Sequence, residues 1–142
     1  MPPRNGGTAM SANLDLIRGL YECFAAGDVA GVLARMSPDM VWNEAESFPY
    51  ADGNPYVGHD AVVSGVFARL AGEWEGFAAL PEEYLDAGEA IVVLGRYRGT
   101  YRATGRALDA EMVHLWRVRG GKAVSFRQST DTLQAARVTG AV

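Results

Sequence analysis

The chain is poor in the residues that bind metals and cross-link proteins. Its 142 residues include a single cysteine, Cys23, and only two histidines, His59 and His114. One cysteine forms no internal disulfide, and one thiol with two imidazoles makes no plausible zinc cluster. Concentrated positive charge is missing as well. The 13 Lys and Arg are scattered through a chain of net charge −4, so the basic face that nucleic acid requires is not expected. No apolar run is long enough to span a bilayer, and the opening "MPPRNGGTAMSAN" lacks the apolar core of a signal peptide. A cytoplasmic location, with no membrane partner, is the default expectation. Repeats and a second domain are also absent.

What is present suits one globular domain. The length leaves room for a real core, and hydrophobic residues at 49% with charged residues at 21% are ordinary for such a domain. Residues 1–11, with Pro2, Pro3, Gly6 and Gly7, read as a loose tail. From Asn13, Leu14, Ile17, Leu20, Tyr21 and Phe24 recur at helical spacing. Gly27 ends that helix, and Asp28 caps a second whose inner face is Val29, Val32, Leu33 and Met36, with Pro38 as its stop. A short strand, Met40–Ala45, comes next, then the loop "SFPYADGNPYVG". Residues 60–72 return to helical period. Four strands follow at about 77–86, 90–102, 106–119 and 122–132, with separators short enough for hairpins. The domain spans 12–133, and 134–142 reads as a C-terminal tail. This order predicts an α+β fold, with three N-terminal helices packed on one face of a curved antiparallel sheet and a cone left open at one end.

Strand alternation picks out the chemistry. In "AEMVHLWRVRGGKAVSFRQSTD", every second residue gives Met112, His114, Trp116 and Val118, then Phe126, Gln128 and Thr130 beyond a Gly-Gly turn. A histidine and a glutamine on an apolar face need partners, or their burial costs about 1–3 kcal/mol. His114 is either a core histidine satisfied by the backbone or a donor and acid in a pocket. Glu44 shares a face with Met40 and Trp42 on the first strand. It sits either wet at the strand end or in the cavity, where desolvation would raise its pKa toward that of a general base. Gln128 can hydrogen-bond a carbonyl or hydroxyl. Trp42, Met112, Trp116 and Phe126 are core or the walls of an apolar pocket, and Tyr21 could offer its hydroxyl there. On the opposite face, Val92, Leu94, Val113 and Leu115 form an apolar patch that no helix covers. That patch suggests a homodimer joined through the sheets.

The segments "LYECFAAGDVAGVLARMSPDMVW", "GHDAV" and "HLWRVRGGKAVSFRQSTDT" closely resemble the SnoaL-like and ketosteroid-isomerase-related branch of the NTF2-like superfamily. The resemblance covers roughly residues 13–132 and implies the NTF2-like cone. That fold hosts isomerases, cyclases, hydrolases, dehydratases and non-catalytic binders, so it fixes no activity. Carried over by position, Glu44 falls where the isomerases keep their general-base Asp. His114 falls, allowing a one-residue shorter turn, where they keep the protonated Asp of the oxyanion hole. Their first-helix Tyr matches Leu20 here, leaving that donor to Tyr21, and the catalytic Asp of the cyclases aligns with Gln128. The expectation is a small acid/base enzyme acting on an apolar carbonyl compound, without metal or organic cofactor. Glu44 would abstract a proton, His114 would bond the enolate oxygen, and Gln128 would orient the substrate. The alternatives are a non-catalytic small-ligand binder and a dimeric assembly domain.

Overall fold

The computed structural model describes the backbone from Asn5 to Val142 and side chains from Ala12 onward. Residues 1–4 of the expected tail lie outside the described residues. Helix α1 runs Asn5–Ala25, starting before the expected Asn13, and Gly6 and Gly7 fall in its first turn, where donors lack intrahelical partners anyway. It ends at Gly27, whose φ of 73° suits glycine. Asp28 then caps α2 (Val29–Ala34) by accepting from the Gly31 amide at 2.9 Å. Helix α2 is shorter than its apolar pattern predicts, and Pro38 lies within strand β1 (Met36–Asn43) rather than ending a helix. It is tolerated because the pairing of β1 is irregular between Met36 and Val41.

Strand β2 (Tyr56–Val57) pairs with β1 and leads into α3 (His59–Val62). That helix continues through a π-helical turn, Val63–Phe67, into α4 (Ala68–Glu73). Three long strands and a shorter one follow: β3 (Trp74–Asp86), β4 (Ala90–Tyr101), β5 (Ala107–Arg119) and β6 (Lys122–Thr130). They form a six-stranded sheet in the order β2-β1-β6-β5-β4-β3. All neighbours are antiparallel except β1 and β6, which run parallel; the wholly antiparallel sheet expected from hairpin spacing is corrected at that pair. The reason is the crossover: everything from β2 to β5 lies between these two strands in sequence, so no hairpin constrains their direction.

The expected C-terminal tail is mostly helix α5 (Thr132–Thr139). Asp131 caps it by accepting from the Gln134 amide at 3.0 Å. Ala135 and Val138 are buried, so α5 covers one end of the sheet. The main core lies between the helices and the sheet's concave face. It includes Ile17, Val32, Met36, Met40, Val62, Ile91, Val93, Met112, Trp116, Val118 and Phe126.

Candidate functional site

Three strands supply the polar part of the concave face. Inward-facing residues of β5 give His114 and Trp116, and the register sets His114 opposite Gln128 of β6 and Trp116 opposite Phe126. The last turn of β1 brings Trp42 opposite Phe126, their rings stacked with centroids 3.8 Å apart. Glu44 follows just beyond the strand. From above, α1 contributes Leu20, Tyr21 and Phe24. The π-helical turn contributes Val66 and Phe67.

These side chains line a cavity of about 490 Å³ including its mouth, with a narrow free interior of about 40 Å³. The interior has room for a few waters. Phe24, Phe67, Leu70 and Phe77 line both this cavity and a wider outer bowl whose free space is about 370 Å³. Those four side chains therefore separate the two compartments.

The cavity wall carries a continuous hydrogen-bonded cluster. His114 Nδ1 lies 2.5 Å from the Tyr21 hydroxyl, and Nε2 lies 2.5 Å from the Tyr97 hydroxyl. Trp116 Nε1 donates to Tyr21 Oη at 2.9 Å, and Gln128 Nε2 donates to Tyr97 Oη at 2.8 Å. Gln128 Oε1 accepts from the Ala45 amide at 3.0 Å. Burial pushes the His114 pKa down to about 3, so the imidazole is neutral. Burial pushes both tyrosines well above their usual range, so their protons stay on.

Glu44 is equally buried and less well supplied. Its Oε2 accepts from Trp42 Nε1 at 3.1 Å. Its backbone is clamped on both sides by Asn54, whose Oδ1 accepts from the Glu44 amide at 3.0 Å and whose Nδ2 donates to the Glu44 carbonyl at 2.8 Å. Desolvation raises its pKa from 4.5 to about 7; the Trp42 hydrogen bond and the charge of Arg69 pull the other way. A group poised there exchanges its proton readily near neutral pH.

The loop that carries Asn54 is tied down. Tyr50 donates to a Glu73 carboxylate oxygen and accepts from Trp74 Nε1 at 3.0 Å. Arg69 sits 4.0 Å from the Tyr50 ring centroid and pairs with Asp52 at 2.8 Å. Phe48 and Tyr50 are buried, and Phe48 lines the cavity.

Of the residues read from the sequence, Tyr21, Trp42, Glu44, His114, Trp116, Phe126 and Gln128 all line this one cavity. Met112 does not. It is fully buried one inward position further along β5, packed in the core. Both ring nitrogens of His114, the residue expected to bond an enolate oxygen, face tyrosine hydroxyls. His59 lies elsewhere, its Nε2 3.1 Å from the Met36 carbonyl. Tyr97 is the residue that sequence reasoning passed over. Alternation along β4 (Ile91, Val93, Gly95, Tyr97, all buried) carried the signal. The Tyr97 and His114 ring centroids are 5.5 Å apart, whereas the bare α-carbon of Gly95 lets β4 approach the backbone of Leu80 and Pro81 on β3.

A half-open cone of sheet and helices around a polar-furnished apolar pocket defines the class of domain, and comparison gives the family. Residues 17–126 match the SnoaL-like domain, and the chain belongs to that family. None of the curated proteins matches it. Among solved structures, an NTF2-like protein from Burkholderia thailandensis E264 is 37% identical with a TM-score of 0.83, covering 87% of this chain and 94% of that one. An NTF2-like protein of unknown function from Burkholderia pseudomallei K96243 is 34% identical with a TM-score of 0.82, covering 90% and 97%. TerC, co-crystallised with polyporic acid, is 27% identical with a TM-score of 0.81, covering 91% and 98%. The fold is thus the NTF2-like cone. Among the described residues no helix is long and apolar enough to cross a membrane.

Proposed function

We propose that the chain is an acid/base enzyme acting on a small apolar carbonyl compound through its own side chains, in the manner of an isomerase or cyclase. The observation that carries this reading is Glu44: a buried carboxyl with its pKa raised to about 7, lining the same apolar cavity as a neutral hydroxyl–imidazole cluster. Glu44 takes a proton from the carbon beside the carbonyl and returns it to the substrate. The cluster around His114 receives the charge that develops on oxygen, an interaction that accelerates the step only if it tightens in the transition state. Trp42, Trp116 and Phe126 exclude water. Phe24, Phe67, Leu70 and Phe77 part to admit the ligand from the outer bowl. That TerC was co-crystallised with polyporic acid supports a small-molecule ligand for this fold.

The test is hydrogen–deuterium exchange. In D₂O at pH 7, the protein should catalyse loss of the methyl proton signal of acetophenone, followed by NMR. The E44Q variant should lower the exchange rate by about 10²–10⁴-fold. Exchange at the wild-type rate in E44Q would remove Glu44 from the mechanism.

One observation favours a second reading. His114 and the Gln128 carbonyl are already partnered within the protein, as a pre-organised binding pocket without catalysis would have them. Such a protein binds the ketone and exchanges nothing. Either reading accommodates a homodimer through the outer sheet face, where Val92 pairs with Leu115 and Leu94 with Val113, all half-buried.

A further inference from the structure

We infer that Tyr97 donates the hydrogen bond to the ligand's oxygen, and that His114 is a positioning residue that keeps the Tyr97 proton free for that use. The inference rests on the carbonyl reading above and names the group that meets the carbonyl.

Counting protons leads to it. The Ala45 amide can only donate, so the Gln128 atom facing it is the carbonyl oxygen, and the Gln128 amide nitrogen must face Tyr97. Tyr97 Oη therefore accepts from Gln128. Indole can only donate, so Tyr21 Oη likewise accepts from Trp116. Between the two phenols stands one imidazole. A neutral ring offers one N–H and one lone pair, so one tyrosine donates to it and the other accepts from it. The accepting tyrosine then has two donors aimed at its oxygen and nowhere within the cluster to send its own proton. A charged imidazole would donate to both and leave both hydroxyl protons unspent. Under either protonation state, at least one O–H inside the cavity lacks an acceptor.

The surplus falls on Tyr97 when Tyr21 donates to Nδ1 and Nε2–H donates to Tyr97. This end faces the reactive part of the cavity. Gln128 ties Tyr97 to the amide of Ala45, the residue next to Glu44, whereas Tyr21 is tied to Trp116. A ligand whose α-carbon meets Glu44 thus sets its oxygen toward Tyr97. Tyr97 is 4% exposed, and an unpaired buried hydroxyl is unfavourable, so the site selects an acceptor-only oxygen: a ketone, a quinone or an enolate. An ammonium or other pure donor finds no acceptor at this position.

Two isosteric probes test it: acetophenone and α-methylstyrene, which differ by a carbonyl oxygen against a methylene. The wild-type protein should bind acetophenone about tenfold tighter, the worth of one buried hydrogen bond. The bound C=O stretching band should move to lower wavenumber. The Y97F variant should lose both the preference and the band shift. Equal affinity for the two probes in the wild type, or a preference and band shift that survive in Y97F, overturns the assignment. Should Y97F fail to fold, ¹⁵N NMR of the wild-type imidazole decides. Nε2 protonated and Nδ1 bare is the expected tautomer, whereas protonated Nδ1 with bare Nε2 would move the free hydroxyl to Tyr21 and refute the proposal. Exchange into acetophenone separates this inference from the catalytic reading. Ketone preference without wild-type exchange sinks catalysis and keeps Tyr97; exchange without ketone preference sinks Tyr97 alone.

Discussion

Two walls of one cavity treat a buried titratable group in contrasting ways. On the β4–β5 wall, His114 is 4% exposed and has a hydroxyl at each ring nitrogen. On the β1 wall, Glu44 is 5% exposed and has an indole N–H on one carboxylate oxygen. Desolvation dominates both and favours the neutral form of each, so it lowers the base to about 3 and raises the acid to about 7. The difference lies in what remains available. The imidazole has spent its capacity inside the protein, whereas the carboxyl titrates near neutrality. A polar group can be buried as scaffold or as reagent, and the count of its partners tells which.

The pH dependence of stability should break the comparison most visibly. For His114, whose folded pKa lies below 6.5, stability is present above pH 6.5 and lost as pH falls toward about 3; the full span is worth roughly 5 kcal/mol. For Glu44, whose folded pKa lies above 4.5, stability is present below pH 4.5 and lost as pH rises through about 7, a span of roughly 3 kcal/mol. The two largely offset one another in the wild type between pH 4.5 and 6.5. Urea denaturation across that range should therefore split the variants. E44Q loses stability on acidification more steeply than the wild type, and H114Q, freed of the opposing group, loses less than the wild type or gains. Parallel pH profiles for the two variants would refute the opposed pKa shifts.

Next in size is Q128L. It strands the Ala45 amide and removes a donor from Tyr97, and it should cost about 1–3 kcal/mol in denaturant unfolding. It should also weaken the acetophenone preference, because the orientation of the Tyr97 hydroxyl loosens. A variant as stable as the wild type would mean that water replaces the amide.

The smallest effect sharpens the Glu44 side. W42F keeps the aromatic wall but removes the N–H that holds the Glu44 pKa down. The midpoint of the pH–exchange profile should then move upward from about 7. A midpoint that stays in place would assign the tuning to burial and Arg69 alone.

Much of this site was legible in the sequence because strand alternation is a local rule. Trp42 with Glu44, His114 with Trp116, and Phe126 with Gln128 each lie two residues apart, and all reached the cavity face. The same rule misassigned Met112, since alternation gives the face but not how far along the strand a cavity extends. It also marked Tyr97 as inward without marking it as polar furnishing. That role depends on the pairing of β4 with β5, which a single strand's pattern does not contain. The parallel β1–β6 pair and the C-terminal helix were missed for related reasons. Strand direction across a long crossover has no local signature, and α5 is held by Asp131 as its cap and by packing through Ala135 and Val138.

By itself, then, the sequence determined the order of the N-terminal helices and the long strands, the faces of the strands and the residue types able to do acid/base chemistry, because 2.0 and 3.6 residue periods are properties of the local backbone. Only the tertiary structure decided which groups meet. Register and sheet curvature placed an α1 tyrosine and a β4 tyrosine on opposite nitrogens of one β5 histidine. Burial at that meeting point, not residue identity, makes the imidazole neutral and brings the nearby carboxyl to the edge of ionisation.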